Sequence, residues 1–167
     1  MDFRDKLIKR IENFWGYGNL SSKIWHVGIE EGLGDDEEDF VNRINNTYDK
    51  KVVDIVSGMQ EVKDALKWFK GSTPLQSTWR VMIRIHLWIT GHDSVTTEMI
   101  REFQKERFGR LGSDHCSLEL MPLPAKSISE RNWFYSQYEI PYLANRRIYE
   151  KSVKEMRSAK LQNLIIS

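Results

Sequence analysis

A short apolar segment, residues 23–29, is enclosed by turn-forming residues on both sides. Glycine, asparagine and serine are frequent at positions 16–22, and further glycines follow at 28, 32 and 34. The segment itself is β-branched and aromatic and too short for a typical helix. It therefore predicts a buried core strand that ends at a glycine-rich loop.

A second strand and several helices are predicted along the rest of the chain. Residues 117–121 are apolar and end at Pro122 and Pro124, which we expect to direct the chain out of the sheet into a stiff loop. Apolar periodicity predicts helices over 2–13, from the acidic run 35–39 onward, and over 54–70, 75–90, 95–108 and 141–162. The final apolar run, 164–166, is expected to begin a third strand.

The alternation of strands and helices favours an α/β fold, a three-layer sandwich around a parallel sheet. With 167 residues, the chain has room for about one domain. Three short strands make a thin sheet, and the chain ends where a βαβ unit normally continues. We therefore expect either that the domain is cut short at its C-terminus or that a partner chain completes the sheet.

The composition limits the partners and the compartment. Because 25 Lys and Arg balance 24 Asp and Glu, a polyanion would have to be bound by a local basic patch rather than by the net charge. The single cysteine, Cys116, excludes an intramolecular disulfide and a Cys-rich zinc site, and we expect it to be buried and structural. No segment approaches the ~20 apolar residues that cross a bilayer, and the N-terminus has no apolar leader. The sequence predicts a cytoplasmic protein without a membrane partner.

The loop after the first strand, Gly28-Ile29-Glu30-Glu31-Gly32, is the leading candidate site. Glycines after a strand let the backbone approach a ligand, and this is where open α/β sheets place their sites. Two carboxylates there could supply a base. The alternative is that the glycines make a turn and the acids cap the next helix. The spacing is not G-x-G-x-x-G, and the negative charge makes a phosphate site improbable.

The same loop resembles the G-I-N-P-G loop of mismatch-specific uracil-DNA glycosylases. Residues 118–124, Leu-Glu-Leu-Met-Pro-Leu-Pro, are similar to the second-strand segment on which that superfamily carries a base-reading Asn. Residues 15–19 and 121–135 also resemble a little-described branch of uracil-glycosylase-like proteins. The resemblance implies a uracil-DNA glycosylase-like fold and cleavage of the N-glycosidic bond of a flipped, modified or deaminated base, without a metal or another cofactor.

Carried over by position, Glu30 takes the place of the water-orienting Asn, with Glu31 as a second catalytic candidate. Glu119 stands where the superfamily reads the base, and an ionised carboxylate suits an exocyclic amino group better than the carbonyls of uracil. The substrate-binding set implied is Gly28, Ile29, Gly32, Tyr17, Asn19, Glu119, Pro122 and Trp133. The late histidine loop of the superfamily is absent from this sequence. A non-catalytic module that binds a nucleobase, a nucleic acid or a protein is therefore the alternative function.

A nucleic-acid partner, DNA rather than RNA, would need cationic side chains. Lys151, Lys154 and Arg157 recur every three residues on one predicted helix face and could contact phosphates; the alternative is a solvated surface. We expect Trp79 and Trp88, which lie at helical spacing, to be core residues.

Metal sites are not expected from the spacing of the histidines. His26, His86, His92 and His115 form no H-x-x-x-H or H-x-E pattern, and His26 and His86 are interpreted as packing or surface residues. A third function, an Mg²⁺-dependent hydrolase, would use the clustered carboxylates Glu30, Glu31, Asp35 and Asp36. It has no ordered motif.

Overall fold

The computed structural model describes residues 1–34, 37–72, 74–127, 129 and 133–166. The strands are β1 (Gly16–Gly18), β2 (Ile24–Gly32), β3 (Val52–Val53) and β4 (His115–Ala125). The α-helices are α1 (Phe3–Asn13), α2 (Glu37–Thr47), α3 (Ile55–Gly58), α4 (Ser77–Ile89), α5 (Thr97–Glu106) and α6 (Arg146–Ile166). Within the described residues, 3₁₀ helices span Ala65–Phe69, Tyr135–Tyr138 and Pro141–Leu143. The class is α/β, as predicted.

The four strands form one mixed sheet in the order β2-β4-β1-β3. The pairs β2–β4 and β1–β3 are parallel, whereas β1 runs antiparallel to β4. The prediction of a parallel sheet is therefore wrong for the central pair. The prediction failed because it did not include β1. This strand lies in a segment that the sequence analysis interpreted only as a helix break. A Cβ atom at Gly16 would lie 2.1 Å from the Ser117 carbonyl oxygen, so this strand needs glycine to approach β4.

Both predicted strands are present, with different ends, but the prediction that the first is buried is wrong. β2 lies at the edge of the sheet, with Val27 47% and Ile29 65% exposed, and it continues through the predicted glycine-rich loop to Gly32. Residues 23–29 correspond to β2, and residues 117–121 lie within β4. The prediction that the chain leaves the sheet at Pro122 is wrong, because β4 continues to Ala125. The two prolines lie where the β2–β4 register shifts, between the pairs Glu30–Met121 and Gly32–Ala125. An irregular pairing tolerates residues that cannot donate a backbone hydrogen bond.

Two further predictions of secondary structure, those for residues 164–166 and 54–70, are wrong. Residues 164–166 belong to α6 rather than to a third strand, because Leu161 and Leu164 pack against Trp15, Cys116 and Leu118 as one helical face. Residues 54–70 do not form one helix: α3 ends at Gly58, and a 3₁₀ helix follows after a turn.

Apolar side chains form two large buried clusters beside the sheet. One joins α1, α2 and α6 to the end of β4, where Met121 and Leu123 are buried. The other joins α3, α4 and α5 to Phe14 and Tyr17. The sheet is thus flanked by helices. Within the described ranges, no helix is both long and apolar enough to span a membrane.

Candidate ligand-binding site

A cavity of about 240 Å³ lies between the sheet and the helices of the second cluster. Its sheet side is formed by β2, with Tyr17 on β1 and with Ser117 and Glu119 on β4. The five residues predicted as a loop, Gly28, Ile29, Glu30, Glu31 and Gly32, line it, but they form the end of β2 and not a loop. The volume is slightly below the ~300–1,000 Å³ of typical ligand pockets. The cavity therefore fits a small ring compound.

The opposite side of the cavity is aromatic and apolar. Trp68, Trp79, Phe108, Ile55, Met59, Ala65 and Met82 line it, together with the polar residues Gln76 and Thr78. The ring centroids of Trp79 and Phe108 are 5.0 Å apart, and those of Trp79 and Trp68 are 6.3 Å apart. Such ring faces can stack on a planar ligand. Trp79 is only partly buried, as a residue that also lines a cavity should be. Trp88 is 69% exposed, so its assignment to the core is wrong.

Glu119 carries a buried carboxyl oxygen that has no hydrogen-bond partner among the described residues. It pairs in register with Gly28, and a Cβ atom at Gly28 would lie only 2.7 Å from Glu119 Oε2. Glycine at position 28 therefore makes room for this carboxyl group. Burial, together with the negative charge of Glu31, raises the pKa of Glu119 to about 8. The carboxyl group is mostly neutral at pH 7 and can donate as well as accept a hydrogen bond.

Glu31, unlike Glu119, is buried among hydrogen-bond and ion-pair partners. Arg10 and Arg43 each place a guanidinium nitrogen 3.0 Å from one of its oxygens, and the Tyr17 hydroxyl donates to it at 2.8 Å. Burial alone would raise the pKa of Glu31, but the two arginines outweigh burial and lower it. Arg10 also donates to the Pro122 carbonyl oxygen at 2.9 Å and to the Thr47 hydroxyl. Glu31 thus joins β2 to α1 and α2. It is not the free base for water that the sequence analysis predicted.

Glu30 also lines the cavity, and it is bound to α6. The Arg146 Nη2 atom lies 2.7 and 2.8 Å from its two oxygens. Burial raises the pKa of Glu30 above its ordinary value, although Arg146 opposes the shift. Arg146 is itself 2% exposed and donates to Glu150 at 2.8 Å. The ion pair leaves Glu30 with less freedom to act on water than a solvated carboxylate would have.

Three residues of the predicted substrate-binding set lie outside the cavity. Asn19 donates to the Ser113 carbonyl oxygen at 3.2 Å and stabilises the turn before β2. Pro122 is buried, and its carbonyl oxygen accepts from Arg10. Trp133 donates to the Leu143 carbonyl oxygen at 2.8 Å and packs on Tyr135 and Tyr149 in the first cluster. Their roles are structural in this geometry.

One of the three predicted phosphate-binding residues on α6, Arg157, is not available to a ligand. Arg157 is fully buried and stacks on the Trp15 ring. Its guanidinium donates to the carbonyl oxygens of Ile11, Phe14, Glu119 and Leu120 at 2.7–3.2 Å. It therefore cannot contact a phosphate, because it satisfies the backbone at the junction of α1, β1 and β4. Lys151 and Lys154 are exposed as predicted.

Two sets of side chains bear on metal binding. Asp35 and Asp36, half of the carboxylate set expected for Mg²⁺, lie outside the described residues, and the other half is ion-paired with arginine. A different set, His86, Asp114 and His115, has one donor atom from each residue within 4.8 Å of the others. Cys116 is buried, its thiol donates to the Tyr17 carbonyl oxygen at 3.4 Å, and burial raises its pKa to about 12. The expectation of a structural cysteine is confirmed.

The residues that the sequence analysis missed come from distant elements. Arg10 and Arg43 lie on α1 and α2, and Trp68 lies in a segment that was assigned to a continuous helix. An arginine at position 10 within an otherwise apolar helix face was the one available signal. No family model matches the chain, and no curated protein and no solved structure shows a significant match to it. The chemistry of the cavity therefore rests on its own residues.

Proposed function

We propose that the cavity binds a nucleobase or a similar planar nitrogen heterocycle, with Glu119 as its hydrogen-bonding partner. The buried, unpartnered oxygen of Glu119 carries this proposal. A buried carboxyl group without a partner costs free energy, and a ligand that hydrogen-bonds to it removes that cost. Trp68 and Trp79 on the other side of the cavity supply ring faces on which a base can stack.

The protonation state of Glu119 determines which edges of a base it fits. A neutral carboxyl group offers one donor and one acceptor side by side. It therefore complements any ring edge with an adjacent acceptor and donor, including the carbonyl and N–H of uracil and the ring nitrogen and amino group of cytosine or adenine. The preference for an amino group, which assumed an ionised Glu119, does not apply at pH 7, because the pKa of Glu119 is raised to about 8.

The test is binding of free uracil, cytosine and adenine, measured by saturation-transfer NMR at pH 7 and pH 9. Glu119→Leu should abolish binding. Glu119→Gln should retain it, because an amide also presents a donor beside an acceptor. At pH 9 about a tenth of Glu119 stays neutral, so uracil should bind the wild type about tenfold more weakly, whereas the Gln variant should show no such loss. Glu61→Gln, an exposed glutamate, is the control. Undiminished binding by Glu119→Leu, or no binding of any base, would refute the proposal.

A second candidate function, hydrolysis of an N-glycosidic bond, is favoured by one observation: Glu30 lines the same cavity as Glu119. Two carboxyl groups in a single site, one to give a proton and one to accept it, are the pair that glycoside hydrolysis uses. Glu119 would protonate the departing base as the C–N bond breaks and its electrons pass to the base. Water would attack the sugar carbon and give its proton to Glu30. The resemblance of residues 28–32 to a glycosylase loop supports the same reaction.

Binding and hydrolysis separate in one variant. Because an amide cannot transfer a proton as an acid does, Glu119→Gln should keep base binding and lower cleavage by ~10²–10⁴-fold. The assay is single-turnover cleavage of single-stranded DNA oligonucleotides that carry uracil or another modified base. A wild-type chain that binds bases and cleaves none of these substrates would exclude hydrolysis and leave the binding module.

A further inference from the structure

We propose that His86, Asp114 and His115 form a binding site for a divalent transition-metal ion such as Zn²⁺. His86 lies on α4, Asp114 directly precedes β4, and His115 is the first residue of β4. This site is separate from the Glu119 cavity and does not depend on the function proposed for it. The expectation against a histidine-bound metal rested on spacing within one segment, and these donors come from two distant ones.

The distances between the donor atoms suit one ion. His86 Nε2 lies 3.4 Å from Asp114 Oδ1, and His115 Nδ1 lies 3.7 Å from the same oxygen. Ligands that bind zinc tetrahedrally at ~2.0–2.2 Å are about 3.4 Å from each other. The two nitrogen atoms lie within 4.8 Å, so a small side-chain adjustment brings all three donors to one ion.

An orphaned atom points to the same place. His86 is 1% exposed, and its Nε2 atom has no hydrogen-bond partner among the described residues. Its other ring nitrogen, Nδ1, lies 3.5 Å from His26 Nε2. If Nδ1 carries the ring proton and shares it with His26, Nε2 presents a lone pair to the Asp114 carboxylate. With this tautomer, Nε2 and Asp114 Oδ1 are two acceptors 3.4 Å apart, an arrangement that a cation between them stabilises. With the other tautomer, Nε2–H points at Asp114 and the cation replaces that proton.

The charges around the site are compatible with a metal. Burial lowers the pKa of His86, and burial together with His86 and His26 lowers the pKa of His115 to about 4. Burial thus favours the neutral form of both rings, and neutral imidazole is the form that binds metals. The Arg107 Nη2 atom lies 3.1 Å from Asp114 Oδ2. This ion pair leaves the other carboxylate oxygen, Oδ1, free to bind the metal. The charge of Arg107 opposes a cation, but the side chain is 53% exposed and is screened by solvent.

His115 is the ligand that must change most. Its Nε2 accepts from the Gly109 backbone N–H at 3.1 Å, so the ring proton lies on Nδ1, beside the Ser113 hydroxyl at 2.8 Å. Binding through Nδ1 moves this proton to Nε2 and breaks the contact with Gly109. The net proton count of the ring is unchanged. Asp114 is 45% exposed, so water can occupy the remaining coordination positions.

The experiment titrates the untagged, chelator-treated chain with Zn²⁺ by calorimetry and with Co²⁺ by visible absorption. One equivalent should bind, and Co²⁺ should give the intense bands of a tetrahedral site. Asp114→Asn and His86→Gln should each weaken the affinity at least about tenfold. The matched controls are Asp93→Asn and His92→Gln, which change exposed residues outside the cluster and should have no effect.

A second measurement guards against variants that fail to fold. Paramagnetic Co²⁺ should shift the ring resonances of His86 and His115 in the wild type and leave those of His92 in place. The absence of binding, or binding that survives Asp114→Asn, or shifts that centre on His92, would overturn the proposal.

Discussion

Two glutamates beside the same cavity, Glu31 and Glu119, differ in their surroundings. Glu31 is buried, whereas Glu119 is half-buried with one carboxyl oxygen inaccessible to solvent. Glu31 contacts two arginines and a tyrosine hydroxyl, and these partners keep its pKa below the ordinary value. Glu119 has an oxygen without a partner, and burial raises its pKa to about 8. Glu31 satisfies the rule that buried charges are paired, whereas Glu119 departs from the rule that buried polar atoms are hydrogen-bonded.

The difference separates a structural role from a binding role. A buried ion pair at the junction of three elements stabilises one arrangement of those elements only while every partner is present. An unpartnered buried carboxyl group destabilises the protein, and such groups are concentrated at functional sites. We therefore expect substitutions of Glu31 to affect mainly folding, and substitutions of Glu119 to affect mainly binding.

The largest effect is expected from Glu31→Gln. The variant leaves Arg10 and Arg43 buried without a counter-charge, which typically costs about 3–5 kcal/mol of unfolding free energy. Urea denaturation of the variant and the wild type at pH 7 measures the difference. Glu12→Gln, on the exposed face of α1, is the control and should change stability by less than about 0.5 kcal/mol. A loss below about 1 kcal/mol for Glu31→Gln would remove the distinction between the two glutamates.

The next effect is a pH dependence of stability that belongs to Glu119. Its pKa is about 8 in the folded chain against an ordinary value of 4.5. Between these values the folded state keeps a proton that the unfolded state loses, so this contribution is complete below pH 4.5 and is lost as the pH rises through 8. The loss between pH 5 and pH 9 should be on the order of 4 kcal/mol.

Glu119→Gln should remove that dependence. The measurement is the difference in unfolding free energy between the variant and the wild type at pH 5 and at pH 9, since other titrating groups are common to both chains. We expect the variant to become more stable relative to the wild type at pH 9. An identical difference at the two pH values would mean that Glu119 titrates normally.

The contrast between the two glutamates also shows what the sequence could reveal. The glycines and carboxylates of residues 28–32 were singled out from the sequence and do line the cavity, because glycine spacing is a local signal, although the segment continues β2 and is not a loop after it. Glu119 was singled out only because residues 118–124 resemble the segment on which uracil-DNA glycosylases carry a base-reading Asn. The partners of Glu31 were not predictable, since Arg10 and Arg43 reach it from helices whose packing no local pattern specifies. The same limit applies to β1, which a glycine-rich segment forms only because β4 lies beside it.

Glu30 is the intermediate case. It lines the cavity like Glu119 and is ion-paired like Glu31, but with a single arginine. Because a hydrogen bond to a charged group contributes about 1.5–3 kcal/mol, Glu30→Gln should cost about 1.5 kcal/mol of stability, less than Glu31→Gln. Thermal denaturation of the two variants side by side gives the ranking. If Glu30→Gln proved the more destabilising substitution, the ion pair with Arg146 would stabilise this end of β2 more than the ion pairs with Arg10 and Arg43.

The smallest change in stability, and the sharpest test of the cavity, is expected from two glycines of β2, Gly28 and Gly32. A Cβ atom at Gly28 would meet Glu119 Oε2 at 2.7 Å, whereas one at Gly32 would have no neighbour within 4 Å. Gly28→Ala must displace the carboxyl group that we assign to base binding, so base affinity should fall about tenfold or more while stability changes by less than about 1 kcal/mol. Gly32→Ala should leave both properties nearly unchanged. Saturation-transfer NMR on the two variants decides the matter: equal affinities for uracil would show that the ligand does not depend on the position of Glu119.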